Sequence, residues 1–282
     1  MVYLLTGATG DVGSRVAELL IRRGERPRLF VRDEQKARAR FADQVDVWVG
    51  DLADRESLGR ALRGVDELFL VNTGPEIPVR DEAAALAARA AGVKHLVKLS
   101  SMDVQQGLAI GAWHERGEAA VRAAGVPYTF VQPSGFMSNL LAWAPSIRAE
   151  SVVRTSTGDG RRPFIHSDDI AAVVVAALTS RAYDSESLPI TGPEALSFPE
   201  VTAKIGAAIG RPLTFQPISD EEARERYSRI SGSADETEAH VALWRAIREG
   251  RLATVTGNVE RVLGRKAISL DQWLAENAMA FQ

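Results

Sequence analysis

Residues 2–13 read VYLLTGATGDVG: an apolar run with strand-forming residues enters a loop that holds Gly7, Gly10 and Gly13, and the chain then continues in helical rhythm. Val12, Val16, Leu19 and Leu20 recur at the spacing of one helix face, and Gly24 supplies a stop. Strand, glycine loop and helix in this order predict the start of a βαβ unit. Positions without a Cβ permit a tight turn and let backbone N–H groups come close to a ligand, and the helix N-terminus adds positive potential there. Gly7, Gly10 and Gly13 are therefore candidates for a pyrophosphate cradle.

The pattern continues outward. Short apolar runs VYLL (2–5), RLFV (28–31), VDVWV (45–49), ELFLV (67–71), HLVKL (95–99) and YTFVQ (128–132) alternate with helical stretches, the signature of an α/β fold with a parallel sheet. Beyond about residue 134 the alternation loosens into more helices and fewer strands. We expect residues 1–134 to form a dinucleotide-binding domain. Residues 135–282 are expected to form a smaller, mostly helical substrate-binding region, partly interleaved with it. Ser197 in SFPE, Ser219 in SDEE and Ser269 in SLDQ each stand three residues before an acid or amide, so each predicts a capping box.

Composition narrows the function classes. The chain has no cysteine, which excludes disulfides, a thiolate nucleophile and thiolate metal ligands. Net charge is −3 with basic residues spread along the chain, which argues against nucleic acid as a partner. No apolar run spans a bilayer and no basic leader precedes the first strand, so a cytoplasmic protein acting on a small molecule, away from membranes, is expected. No His and carboxylate spacing suggests a metal site, and no Gly-x-Ser-x-Gly elbow suggests a hydrolase.

The end of the second strand selects between nicotinamide cofactors, because an acid there binds a ribose 2'-hydroxyl and a base accepts a 2'-phosphate. FVRDEQK places Arg32 first and Lys36 about one turn later, which favours NADP(H) over NAD(H); Asp33 keeps NAD(H) open. Asp51, closing the third strand, is a candidate for the adenine amino group. Asn72, Thr73 and Gly74 close the fourth strand, and Ser100 and Ser101 the fifth. Ligands bind outside the carboxyl ends of parallel strands, so these residues are expected along one crevice.

With TGATGDVG, FVRD, VGDL, LSSMDV, AAVRAAGVPYTFVQPSGFMSNLL, PFIHSDDIAAV and TGPEALSFPEV in this order, the chain resembles the atypical, NmrA-like branch of the short-chain dehydrogenase/reductase superfamily. That branch includes quinone and triphenylmethane-dye reductases alongside nucleotide-sensing regulators. The resemblance implies a Rossmann-type parallel sheet with helices on both faces, NAD(P) in the crevice, and a substrate pocket between the sheet and the carboxy-terminal region. It further implies that Thr9, Gly10 and Val12 line the pyrophosphate and that Arg32 and Lys36 meet the 2'-phosphate. Asp51 and Leu52 would meet the adenine, and Asn72, Thr73, Gly74, Ser100 and Ser101 the ribose and nicotinamide. Phe136, Met137 and Asn139 would face the substrate.

One departure stands out. Typical members carry a tyrosine and, four residues later, a lysine that lowers its pKa; no Tyr-x-x-x-Lys occurs in this chain, and alignment on Glu118 to Val121 puts Gly111 and Glu115 at those places. The stretch GAWHERGE (111–118) instead sets His114, Glu115 and Glu118 on one helical arc, beside an apolar stripe begun by Trp113. A His114 and Glu118 pair at i, i+4 would orient the imidazole and raise its pKa, giving a general acid; the alternative is an exposed ion pair of little consequence. His166, in FIHSDD, immediately precedes a helix start marked by Ser167 to Asp169, where capping explains the acids and the alternative is a pocket role for the histidine; His95 begins a strand and His240 sits in a late helix, and neither has a chemical partner legible in sequence. These readings favour an NADPH-dependent reductase of a conjugated or quinone-like molecule. The alternatives are a non-redox NADP(H) sensor acting on a partner protein, and a non-redox cyclase or isomerase.

Overall fold

The computed structural model describes residues 1–282 apart from Ala109. The strands are β1 Tyr3–Thr6, β2 Arg28–Val31, β3 Asp46–Val49, β4 Glu67–Leu70, β5 His95–Leu99, β6 Tyr128–Pro133, β7 Val152–Thr155, β8 Arg161–Arg162, β9 Glu186–Ile190, β10 Leu196–Ser197 and β11 Thr214–Pro217. The helices are α1 Asp11–Arg22, α2 Glu34–Phe41, α3 Arg55–Ala61, α4 Ile77–Ala91, α5 Ala109–Ala124, α6 Ala144–Glu150, α7 Ser167–Leu178, α8 Phe198–Ala208, α9 Asp220–Ser228, α10 Ala234–Arg248, α11 Asn258–Leu263 and α12 Leu270–Asn277. All six strands expected from sequence are present.

The chain divides into two compact units. The first comprises residues 1–101, 113–132 and 167–189. Its seven-stranded sheet runs β3-β2-β1-β4-β5-β6-β9, and the ladders from β3 through β6 are parallel. Strand order reverses between β1 and β4, so a crevice opens where the loops after these strands diverge, as in Rossmann-type folds. Leu4, Leu68, Leu96 and Phe130 of the sheet pack on Leu58 and Leu62, Ala84 and Ala88 of α4, and Val121 of α5. On the other side α1 packs against α7, where Ser167 Oγ donates to Asp11 Oδ2 at 2.6 Å and Arg15 pairs with Asp168. Near-continuous apolar runs such as LLT and LFL are what a sheet covered on both faces requires.

The second unit comprises residues 102–112, 133–166 and 190–282. It holds two small sheets, β11 parallel to β7 and β10 antiparallel to β8, among α6 and α8 to α12. Met137, Leu140, Ile147, Val153, Phe164, Phe198, Ile205, Trp273 and Phe281 belong to its core. Two of the three expected capping boxes are reciprocal: Ser197 with Glu200, and Ser269 with Gln272. Ser219 accepts from the Glu222 N–H without the return bond.

Candidate functional site

The glycine loop after β1 is built by close approach. Gly7 has φ +61°, in the left-handed region. A Cβ on Gly13 would stand 2.2 Å from the Gly7 carbonyl oxygen, and one on Gly10 would stand 3.2 Å from it, so the loop folds tightly over its own helix. Gly10 is the N-cap of α1 and no side chain caps that end. A glycine N-cap leaves room at the amino end of α1, where the helix dipole is positive, which fits a pyrophosphate. Val12 is buried beneath the loop, and Thr9 lies half-buried on its rim.

Around the crevice the expected residues have distinct roles. Arg32 and Lys36 are exposed, and among the described residues neither side chain enters an ion pair, in contrast to Arg38 with Glu34 and Arg40 with Glu18. They are thus available to a phosphate. Asp33 is occupied otherwise: its carboxylate accepts from the Lys36 N–H at 3.0 Å and caps α2. Asp51 folds onto the Ala53 N–H at 2.8 Å, while Asp54 caps α3, and Leu52 is half-buried beside them. Thr73 is exposed and Gly74 adopts φ +80°. Asn72 is buried, its amide donating to Asp81 Oδ1 at 2.6 Å.

That bond leads into a buried polar chain. Asp81 Oδ2 lies 2.7 Å from Lys98 Nζ, and both side chains are fully buried. Lys98 Nζ lies 3.3 Å from His114 Nδ1. An ammonium has only donors, so Nδ1 is the acceptor and the imidazole proton sits on Nε2, for which the described residues supply no hydrogen-bond partner. Burial, and after it the Lys98 charge, push the His114 pKa down from its usual 6.5 to about 3. His114 is a neutral imidazole whose N–H remains to donate.

The expected His114 and Glu118 pair does not form. Glu118 Oε1 accepts from Ser100 Oγ at 2.6 Å and from Gln132 Nε2 at 2.7 Å, and Oε2 accepts from Arg122 at 3.1 Å. Glu118 ties α5 to the carboxyl ends of β5 and β6, and the imidazole pKa falls instead of rising, through burial first and then the Lys98 charge. His114, Gly117, Glu118 and Val121 are the buried line of α5, and Glu115 is exposed. The sheet offers Lys98 and Gln132 as partners and α4 offers Asp81, which makes a polar buried face tolerable. Gly117 is required here, since a Cβ would stand 2.2 Å from Asp81 Oδ2.

Gly111, where the sequence reading expects the family's tyrosine, is tightly enclosed. Its Cβ would fall 2.1 Å from the Asp103 carbonyl oxygen, so no side chain fits at that place. Of the residues expected to face substrate, Phe136 is half-buried, Asn139 is exposed, and Met137, 1% exposed, is packed into the core of the second unit. Met137 is held there because its N–H donates to the Ile165 carbonyl.

The remaining histidines have structural partners. His95 lies between Glu67 and Thr129 inside the sheet, His166 is buried 3.9 Å from Glu276, and His240 stacks on Tyr227. No group of acids and histidines that could hold a metal ion occurs among the described residues. Sequence reading missed Lys98 and Asp81. Their signal was a lysine inside the apolar run HLVKL and an acid inside the alanine-rich helix IPVRDEAAALAARAA, but nothing in sequence joins the two.

A model of the NAD(P)H-binding family matches residues 7–181. The chain is 42% identical to the (4-alkanoyl-5-oxo-2,5-dihydrofuran-3-yl)methyl phosphate reductase of Streptomyces griseus subsp. griseus, with 99% of both chains covered. It is 36% identical to an NAD(P)H azoreductase of Xenophilus azovorans, again over 99% of both. Its fold matches an NADPH-dependent quinone oxidoreductase from Escherichia coli solved with NADPH, at TM-score 0.88 and 23% identity, covering 97% of this chain and 99% of that one.

Proposed function

The chain belongs to the NAD(P)H-binding family, and from that premise we propose that it is an NADPH-dependent reductase that delivers a hydride to a conjugated small molecule. The observation that carries the cofactor half of this reading is the uncapped α1 terminus over the Gly7–Gly13 contact, with Arg32 and Lys36 unpaired at the end of β2. The glycine loop holds the pyrophosphate, and Arg32 and Lys36 take the 2'-phosphate. Asp51 and Leu52 border the adenine, and Thr73, Gly74, Ser100 and Ser101 border the ribose and nicotinamide. NADPH, when bound, supplies the hydride. Residues 135–282 carry the substrate-binding part, with Phe136 and Asn139 its facing side chains.

The chemistry suits an activated double bond. Hydride addition to a carbon conjugated with a carbonyl spreads negative charge onto oxygen, so the acid required is weaker than for an isolated ketone. A neutral imidazole N–H meets that need as a hydrogen-bond donor to the developing oxyanion, and solvent supplies the proton that completes the reduction. His114 donates from Nε2, held in that tautomer by Lys98, which is itself held by Asp81. Glu118 positions α5 by its bonds to Ser100 and Gln132. The Streptomyces relative is named for an acyl dihydrofuranone phosphate, and the Xenophilus relative for azo reduction; both support a conjugated electrophile as substrate. No helix among the described residues is long and apolar enough to cross a membrane, and in this reading the enzyme works in the cytoplasm on a small molecule, without nucleic acid.

The test is a panel of quinones, azo dyes and unsaturated lactones mixed with the protein and NADPH, following cofactor absorbance. We expect NADPH consumption with at least one unsaturated lactone or quinone, and weaker activity with NADH. Tight NADPH binding with no consumption across the panel overturns the reading.

A further inference from the structure

Within the second unit, Arg162 is buried to 6% exposure, yet its Nε and Nη1 have no hydrogen-bond partner. Strand β8 explains the burial: Arg161 points outward to Glu200, and the next residue in the alternation points inward. Arg162 Nη2 reaches both oxygens of Asp103, each at 3.1 Å. One edge of the guanidinium is thereby satisfied. Three N–H bonds remain without acceptors, although buried donors are nearly always bonded.

The open edge has a space beside it. A cavity of about 30 Å³ is lined by Arg162, Asp103, Ser134, Thr254 and a second guanidinium, Arg251. Arg251 is fixed by a 2.7 Å bond from Nη2 to the Gln106 carbonyl. Ser134 spends its proton on the Pro163 carbonyl. Two guanidiniums and one carboxylate line the cavity; Glu249, outside that lining, lies 3.9 Å from Arg251 Nη1, so the donors to spare are Nε and Nη1 of Arg162. Gly135 keeps the arginine in place: a Cβ there would stand 2.6 Å from Arg162 Nε.

We propose that Arg162 and Arg251 form a subsite for a single oxyanion group, a carboxylate or a phosphate monoester, borne by the substrate. The proposal rests on the reductase reading for the rest of that substrate. A guanidinium fork is matched to two oxygens of such a group, and a charged acceptor suits buried donors better than water does. The cavity exceeds the roughly 10–15 Å³ that one water needs and is too small for a ring. The substrate's conjugated part must therefore lie outside it, with only the charged end inside.

Two measurements decide. In the first, inorganic phosphate and acetate are titrated against the protein with NADPH bound, using calorimetry and no turnover. Saturable one-to-one binding is expected for at least one probe, and the tighter one identifies the group. Arg162→Lys, which keeps a cation against Asp103 but removes the fork, should weaken it roughly tenfold or more, about the effect of one charge-assisted hydrogen bond. Arg251→Gln, on a half-exposed side chain, should weaken it less while folding like the wild type. In the second, conjugated carbonyl substrates that differ only in a phosphate, carboxylate or methyl ester end are compared. In Arg162→Lys the KM of a charged member should rise roughly tenfold, with the neutral ester and NADPH affinity unchanged. Absence of anion binding in the wild type overturns the subsite and leaves a cavity that holds water only, whatever the turnover. If no member is reduced but anion binding is present and lost in Arg162→Lys, the reductase reading fails and the subsite stands.

Discussion

Lys98 Nζ stands 3.3 Å from His114 Nδ1 and 2.7 Å from Asp81 Oδ2, all three side chains being buried at the carboxyl end of β5. In typical short-chain reductases a lysine lowers the pKa of a tyrosine. Here a lysine reached from the sheet fixes the tautomer of an imidazole. Asp81 keeps the ammonium paired, because a lone buried charge costs several kcal/mol.

His114→Ala should lower kcat by ~10²–10³ with NADPH affinity unchanged, the usual range for loss of one hydrogen-bond donor to a developing oxyanion. His114→Gln, which keeps an N–H donor, should lose less. A neutral donor does not titrate near pH 7, so wild-type kcat/KM should show no break from His114 between about pH 5 and 8, where an ordinary imidazole titrates. A break near pH 6.5 that disappears in His114→Gln contradicts the neutral assignment.

The same residue should make folding pH-dependent. Its folded pKa, about 3, lies below the usual 6.5. Above pH 6.5 neither state is protonated and His114 adds no pH dependence. As pH falls from 6.5 toward 3, only the unfolded chain takes up the proton, so native stability declines by ~1.4 kcal/mol per pH unit. Urea unfolding at pH 7 and pH 5 should show ~2 kcal/mol of loss in the wild type that is absent in His114→Gln. Equal losses in both proteins would mean that the imidazole is not buried neutral.

Restoring the family's tyrosine should fail. A Cβ at Gly111 meets the Asp103 carbonyl at 2.1 Å, so Gly111→Ala should destabilise by ~1–3 kcal/mol, as overpacking does. Gly111→Tyr should be worse still, without a gain in rate. A stable, faster Gly111→Tyr protein would show that the backbone at Asp103 yields readily.

Arg32→Ala and Lys36→Ala should each weaken NADPH binding roughly tenfold while sparing NADH, since each removes one partner of the 2'-phosphate. Fluorescence titration of both cofactors checks this. Equal effects on the two would remove these residues from the 2'-phosphate.

Local rules made much of this legible. Strand ends, the turn at Gly7 and the caps at Ser197 and Ser269 depend on neighbours within a few residues, and the structure has them where the spacing says. Position 114 was legible too, but not its chemistry. Its pKa depends on burial by the surrounding fold and on the charge of Lys98, sixteen residues away on another element. Helical spacing paired His114 with Glu118, but tertiary packing gave Glu118 to Ser100 and Gln132. Likewise Arg162 and Asp103 are joined only by the fold of the second unit.

The most direct measurement uses NADPH carrying deuterium at the transferable nicotinamide position, an unsaturated lactone and the purified protein, with the product read by NMR. Deuterium is expected on the carbon β to the carbonyl, one atom per NADPH consumed, with a solvent-derived proton on the neighbouring carbon. Substrate conversion with the label retained in the cofactor, or bound NADPH that never transfers it, would contradict hydride transfer as the function of this site.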